Sequence, residues 1–382
     1  MGLLMADDNS AAVIDLIRAP VARTEATATD ICPVNAALFD AGGAPLLVSF
    51  AGLLPSMCGA LSAVRGFFGE RWAPGDVALT NDMDAGAVNA CEIIAVAPIH
   101  AGAVLSGWAV VRGRIPDFGG WELGGYSPQA VDRWAEGARL EPVKLTLRGA
   151  ERREVTDLLR LNSRTPDTTL KHVRLLADAA LSLGQAYARG AVKLQEPIAA
   201  LRAAERSKVA AAFEQLPATM AVQRAEIVVP WSNERFGAIE IRGGKSGDRL
   251  RVMLAGPPIA KRPINLGRFA ASDTVAAAIA YACGLEDLVT DALSSLIAVT
   301  LQEPGLLAAP LPATAGLGRQ TSGQTLFRAV AAALGSRSEQ AEASWRRYRE
   351  TACGTGFDPQ VGRLAAVNIA KLRTRQAEEA AA

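Results

Sequence analysis

The sequence predicts a mixed α/β (α+β) fold. Three patterns carry that expectation. Short apolar runs separated by turn residues fill roughly the first 112 positions, which is the mark of strands. Apolar positions at helical spacing follow over 166–189 and 194–213, predicting a helix pair folded into one antiparallel arm. Strand-like runs return after residue 217 and give way to Ala-rich helical runs. The expected organisation is an N-terminal α/β domain bearing the site over 1–160 and a helical arm over 161–216. A second α/β domain over 217–336 and C-terminal helices over 337–382 complete it. Half of the 382 residues are hydrophobic, enough for a sizeable core.

In chain order, residues 11–22 read as a short helix. Residues 35–39 and 45–50 read as strands around an Ala-Gly-Gly turn, a hairpin signal. Residues 55–68 form an apolar helix with Pro55 in its first turn. Strands are expected over 77–81, 91–99 and 104–112, the last two joined tightly through 100–103. His100 is then a turn residue. The segment 119–139 is loop-rich, and Trp121, Tyr126 and Trp134 are expected to pack it down. His172 falls beside Lys171 and Arg174, on what reads as a solvated helix face. Strands over 225–230, 238–242 and 249–254 come next, then helices over 270–283 and 285–297 divided by Gly284 as a C-cap. Helices over 320–334, 339–348 and 361–379 close the chain.

Composition excludes several functions. A net charge of +1 and 5% aromatic residues give no footprint for nucleic acid. The cluster Trp345, Arg346, Arg347, Tyr348, Arg349 reads instead as a solvated helix or a protein contact. The N-terminus shows no signal peptide, and no apolar run reads as a membrane span. Five scattered cysteines without a CxxC pair (Cys32, Cys58, Cys91, Cys283, Cys353) read as free thiols of a reducing cytoplasm. Residues 243–248, GGKSGD, suggest a phosphate loop but lack the required glycine, since Ile239 stands there. They also lie between strands, whereas a phosphate loop must feed a helix.

The segment 74–120 is the place to expect a site. It brings an acidic loop (Asp82, Asp84, Glu92) and a Gly-rich loop (Asp117) to one end of a sheet. Neither loop contains histidine, and the chain has only His100 and His172. A histidine-clustered metal centre is therefore not expected. Cys91 lies in the first loop, nine residues from His100 and across a strand from it, so it reads as a small buried hydrophobe.

The same segment resembles the hydantoinase B/5-oxoprolinase family, which includes large subunits of acetone and acetophenone carboxylases. Gly75, Asp76, Val77, Asn81 and Asp82 match its GDV-x-x-x-NDP text, and Gly86 matches the loop that follows. Arg112, Gly113, Asp117, Gly119 and Gly120 match its Arg-Gly-His-His-x-Asp-x-Gly-Gly run. Residues 136–145, 161–185, 254–265 and 303–316 resemble further family segments in family order. The departures fall on one function. Asn89 replaces the His, and Glu92 the Asp, of a His-x-x-Asp pattern. Arg114 and Ile115 replace the His-His pair. Pro33 stands at an acidic position of a motif matched by residues 32–43. The family's Gly-rich C-terminal region with a His-Thr-His motif has no counterpart after about residue 335.

The resemblance implies a divalent-metal site built from His and Asp, and a separate ATP-using subunit. At Pro33, Asn89, Glu92 and Arg114 the ligand set is replaced. Arg114 is expected to substitute for the metal's charge and to pair with Glu92 or Asp117. A Mg²⁺ site from Asp82, Asp84, Glu92 and Asp117 is the alternative. The leading functional expectation is an auxiliary, non-catalytic subunit of an ATP-dependent hydrolase or carboxylase hetero-oligomer. Its partners would be a hydantoinase A-like ATPase subunit and a full-length hydantoinase B-like subunit. ATP and metal would bind in those partners and no cofactor in this chain. An active subunit is the second reading, hydrolysing a cyclic amide or carboxylating a ketone. It would use Asp82, Glu92 and Asp117 for proton transfer and Arg114 for an oxyanion. A small-molecule or partner-binding protein is the third, its pocket reused for an anion held by Arg112 and Arg114.

Overall fold

Residues 92–114 form the spine of the molecule. In a computed structural model, which describes residues 3–27 and 33–353, β4 (Glu92–Ala101) and β5 (Val104–Arg114) pair antiparallel along their whole length. Period-two alternation divides their apolar residues between two cores. Ile94, Val96, Trp108 and Val110 face one, and Ile93, Ala95, Ala97, Ala109 and Val111 face the other. Burial on both faces explains why these strands read as continuous apolar runs.

Around this hairpin lie β1 (Asn35–Asp40), β2 (Pro45–Val48), β3 (Val77–Thr80), β6 (Val143–Leu147) and β7 (Ala150–Glu151). The antiparallel sheet has the order β2-β1-β5-β4-β3-β6-β7. A second sheet, β11-β10-β9-β8, holds β8 (Gln223–Val228), β9 (Arg235–Ser246), β10 (Arg249–Ala255) and β11 (Ile297–Leu301). The GGKS segment is the end of β9, paired with β10, so it feeds a strand turn and no helix.

One face of the first sheet is covered by α1 (Leu3–Thr27), α3 (Arg153–Leu161) and α4 (Pro166–Gln215). The other face packs on α2 (Leu54–Phe68), α5 (Arg268–Ala282) and, further out, α6 (Ala292–Leu296), α7 (Gln324–Ala333) and α8 (Ser338–Cys353). This second core gathers residues from Ala37 to Ala352 and includes the inner face of the second sheet. The expected mixed α/β body, with two sheets and flanking helices, is thus present.

Several expectations are corrected. The two arm segments are one helix of 50 residues, with Pro197 inside it. Its N-terminal half lies against β4 and β5, close enough that a Cβ on Gly113 would sit 2.7 Å from Leu176 Cδ2. His172 is on that face and fully buried. His100 belongs to β4, and the turn is made by Gly102 at φ +62°. Trp121 and Trp134 are 59% and 61% exposed; only Tyr126 packs inward. Of residues 285–297 only Ala292–Leu296 is helical, and Ile297 begins β11, parallel to β10. One helix, Ala51–Phe68, does reach the length and apolarity of a membrane span. Leu54, Met57, Ala60, Leu61 and Val64 bury its inner face in the core. Cys32, the Cys353 side chain and the helix expected over 361–379 lie outside the described residues.

Candidate functional site

Strand register assembles the site. Glu92 opens β4 opposite Arg114 at the end of β5, and Asn35 of β1 lies opposite Arg112. Pro33, two residues before β1, therefore reaches the same sheet end. Asn89 arrives on the turn before β4, where its side-chain oxygen accepts from the Cys91 amide at 3.1 Å. These four, Pro33, Asn89, Glu92 and Arg114, line one cavity of about 20 Å³. Tyr126 from the loop after β5, Arg319 and Gln320 from a π-turn (Arg319–Gly323), and Ala352 near the end of α8 complete the wall. The π-turn breaks the helical period and turns adjacent side chains to one side. Room of this size holds one or two oxygen-sized atoms.

Beneath the cavity lies a buried ion network. Arg112, only 1% exposed, donates to Glu92 through Nη2 and to Ser56 Oγ through Nη1 at 2.6 Å. The same Nη1 lies 3.4 Å from Asp273 Oδ2. Asp273, on α5, also accepts from the Ser56 amide at 3.0 Å. The network thus joins β4, β5, α2 and α5. Burial alone would raise the Glu92 carboxyl. The charges of Arg112 and Arg319 and hydrogen bonds from Arg112 and the Val88 amide outweigh burial and hold it below its usual range. At Asp273 burial wins over Arg112, and the carboxyl is pushed up to about 6.

Arg114 does not pair with Glu92 or Asp117, contrary to expectation. Its guanidinium donates to the Tyr126 hydroxyl and to Gly124 O at 2.7 Å, and it lies 4.2 Å from the Tyr126 ring centroid. The reason is register. Arg114 leaves β5 beyond the ion network, and Arg112, one strand period earlier on the same face, already holds Glu92. Asp117 is instead gripped by Arg164 at the start of α4, through Nη2 at 2.5 Å and the backbone amide at 2.6 Å. Asp82 accepts from Arg139 at 2.7 Å and from the Asp84 amide at 3.1 Å. Three of the four carboxylates of the Mg²⁺ alternative, Asp82, Glu92 and Asp117, are therefore held by separate arginines, Arg139, Arg112 and Arg164. Among the described residues no three His, Cys, Asp or Glu side chains gather as for a metal ion.

The residues that match the motif text build the scaffold. Asn81 donates to Ala90 O at 2.6 Å and Ala138 O at 2.8 Å, and accepts from the Leu140 amide at 2.6 Å. It fastens the acidic loop to the loop over 119–139. Asn81→Ala is expected to lower stability by about 2 kcal/mol in urea unfolding, because three buried backbone groups lose their partners. Asp76 likewise accepts from Lys144 at 2.6 Å and from the Arg148 amide at 2.7 Å. Glu136 is wholly buried and accepts from the amides of Ala315 at 2.8 Å and Gly316 at 2.5 Å, with Arg133 at 3.5 Å. Burial pushes its carboxyl up to about 7, against Arg133 and those amides.

Sequence reasoning gave no role to Asp273, Arg319 or Gln320, and for Arg112 it foresaw an anion rather than the buried carboxylates it holds. Asp273 carried a signal, an acid alone in an Ala-rich helix that must bury it. Arg319 and Gln320 carried none, because a π-turn has no period in sequence.

The sequence model of the hydantoinase B/oxoprolinase family matches residues 29–370. The chain belongs to this family. A curated relative, caprolactamase subunit beta of Pseudomonas jessenii, is 37% identical over 111 residues, covering 29% of this hydantoinase B-type chain and 19% of the relative. The solved ATP-dependent caprolactamase of Pseudomonas jessenii superposes with a TM-score of 0.76 at 23% identity, over 87% of this chain and 60% of the other. Nucleotide-free acetone carboxylase, a structure concerned with ATP-dependent carboxylation, gives 0.72 at 14% identity, over 87% and 48%. The chain therefore spans about half to three-fifths of the length of these structural relatives, which share its fold.

As ligands for the divalent ion the family motif implies, the four residues do not fit. Pro33 has no donor atom. The Asn89 oxygen is occupied by an amide. Glu92 is committed to Arg112 and to the Val88 amide at 2.7 Å. Arg114 is a permanent cation.

Proposed function

We propose that this hydantoinase B-type chain is an auxiliary subunit of an ATP-dependent amide hydrolase or carboxylase assembly, with no metal-dependent active site of its own. The observation that carries the reading is the convergence of Pro33, Asn89, Glu92 and Arg114 on one cavity with no ligand set among them. The residues that match the family motif, Asn81, Asp76 and Asp117, hold an ordered frame around that cavity. A chain that keeps the frame and loses the ligands retains what assembly requires. In this reading it works in the cytoplasm beside a hydantoinase A-type ATPase subunit and a full-length hydantoinase B-type subunit. Those partners bind the ATP and the divalent metal. The names of the relatives agree in kind, since one is a subunit and both solved enzymes are ATP-dependent.

Native mass spectrometry of the protein taken from its own host tests this, with metal analysis of the same sample. The expected result is a metal-free chain inside a hetero-oligomer containing an ATPase subunit. A free chain or homo-oligomer carrying stoichiometric Zn²⁺ or Mn²⁺ would overturn it. The triple variant Asn89→His, Glu92→Asp, Arg114→His is expected to bind Zn²⁺ more tightly than the parent in calorimetry.

A further inference from the structure

The second sheet has one face in the core and one in water. Ile227, Ile239, Ile241, Leu250, Val252 and Leu254 point inward. The alternate positions point outward and share one surface. There Met253 lies opposite Arg242, Arg251 opposite Gly244, and Arg224 opposite Glu240. The outward charges on the strands are Arg224, Arg235, Arg242, Arg249 and Arg251 against Glu226 and Glu240. Both glutamates are already held, Glu226 by Arg235 at 3.1 Å and Glu240 by Arg242 at 2.5 Å. Arg224, Arg249 and Arg251 have no ion pair among the described residues. Arg242 and Arg251 sit diagonally on neighbouring strands, where like charges repel. A shallow groove of about 420 Å³ runs between them, lined also by Gly244, Met253 and Val222. Met253 and Val222 are 51% and 63% exposed.

We propose that this outward face docks on an acidic surface of a different protein, with Met253 and Val222 at the centre of the contact and the arginines around them. Interfaces gather arginine and methionine and are depleted in lysine, and the outward strand positions hold no lysine. The positive excess selects the occupant. An acidic partner relieves the repulsion between Arg242 and Arg251 and gives Arg224 and Arg249 the carboxylates that this chain does not offer them. A second copy would bring the same positive excess to the other side. The outward positions carry no aromatic residue, so the bases of a nucleic acid would find nothing to stack on. The described residues stop near Asn35 and Thr351, which hydrogen-bond at the cavity end of the first sheet. Helices α7 and α8 lie in the core on the inner side of the second sheet, and the arginine face is on the other side.

This inference rests on the auxiliary-subunit reading and names the face by which the chain enters its assembly. The test uses the full chain in the assembly recovered from its own host at low salt. Hydroxyl-radical footprinting reads Met253, whose thioether oxidises readily where water reaches it. Met253 is expected to oxidise at least about fivefold more slowly in the assembly than in the separated chain. Arg224→Glu with Arg251→Glu is expected to weaken assembly at least about tenfold, and added salt is expected to weaken the parent assembly. Arg153→Glu with Lys193→Glu makes the same charge change at exposed positions of α3 and α4. It is expected to change assembly by less than about twofold. If the first variant does not fold, the footprint of the unmodified chain decides alone. Equal oxidation of Met253 in the assembly and in the separated chain, or equal effects of the two double variants, overturns the docking face and leaves the auxiliary-subunit reading standing. Cover supplied by a second copy, or by nuclease-sensitive nucleic acid, overturns it too. A chain recovered free at low salt overturns both.

Discussion

Arg112→Met is expected to destabilise the protein by about 3–5 kcal/mol at pH 7.5, read from the urea midpoint at unchanged m-value. Methionine fills much of the volume, so the loss reflects charge more than packing. Without the guanidinium, Glu92 and Asp273 face each other across a buried space, and Ser56 Oγ loses its donor. Both carboxyls would then take up protons more readily, because burial would act on them unopposed. The penalty should therefore shrink at pH 5. Arg112→Lys should recover only part of it, since one ammonium cannot span partners that a planar fork reaches from two nitrogens. A loss under about 1 kcal/mol for Arg112→Met would mean that the network contributes little beyond filling space.

Glu136 is expected to make stability fall as pH rises from about 5 to 8. Its carboxyl moves from an ordinary 4.5 to about 7 in the folded state. Between those values the folded protein binds more protons than the unfolded chain, so stability decreases with pH. The contribution is full below the unfolded value and gone above the folded one. At about 1.4 kcal/mol per unit this is on the order of 2–3 kcal/mol across the window. Asp273, pushed up to about 6, adds to the same slope. His100, half-buried and lowered by burial, gives a small opposing one. Glu92, held low, acts only in more acidic solution. Glu136→Gln should flatten the curve, and the parent should lose ground to the variant as pH rises. Parallel curves for the two proteins would show that Glu136 is ionised throughout the range.

Legibility in the sequence followed the range of the interactions. The β4–β5 hairpin and α2 could be read because alternation, a tight turn and a Pro in the first helical turn are local. The family motifs placed Pro33, Asn89, Glu92 and Arg114, which the fold brings around one cavity. The partners of the acids could not be read. Asp117 finds Arg164, and Arg112 reaches Asp273, from distant parts of the chain. β11 went unread, and a helix was drawn up to its first residue, because its pairing with β10 is parallel and non-local. The arm was read as two helices broken over 190–193, but one helix runs through that gap and through Pro197, a residue type that ordinarily ends a helix. Tertiary support overrides that preference. The N-terminal half of α4 lies on the sheet, and Glu205 in the other half is fixed by the amides of Val289 and Thr290, each at 2.9 Å, and by the Thr290 hydroxyl.

That arrangement turns α4 into a lever with its fulcrum at Pro197. Glu205 lies eight residues beyond it, about 12 Å along the axis. A rotation of roughly 5° at the proline would displace the carboxylate by about 1 Å, enough to stretch those 2.9 Å hydrogen bonds out of range. The buried carboxylate therefore gauges the bend, and it tolerates only a few degrees. The far end of the helix can swing only when the segment at Val289 and Thr290 swings with it or lets go.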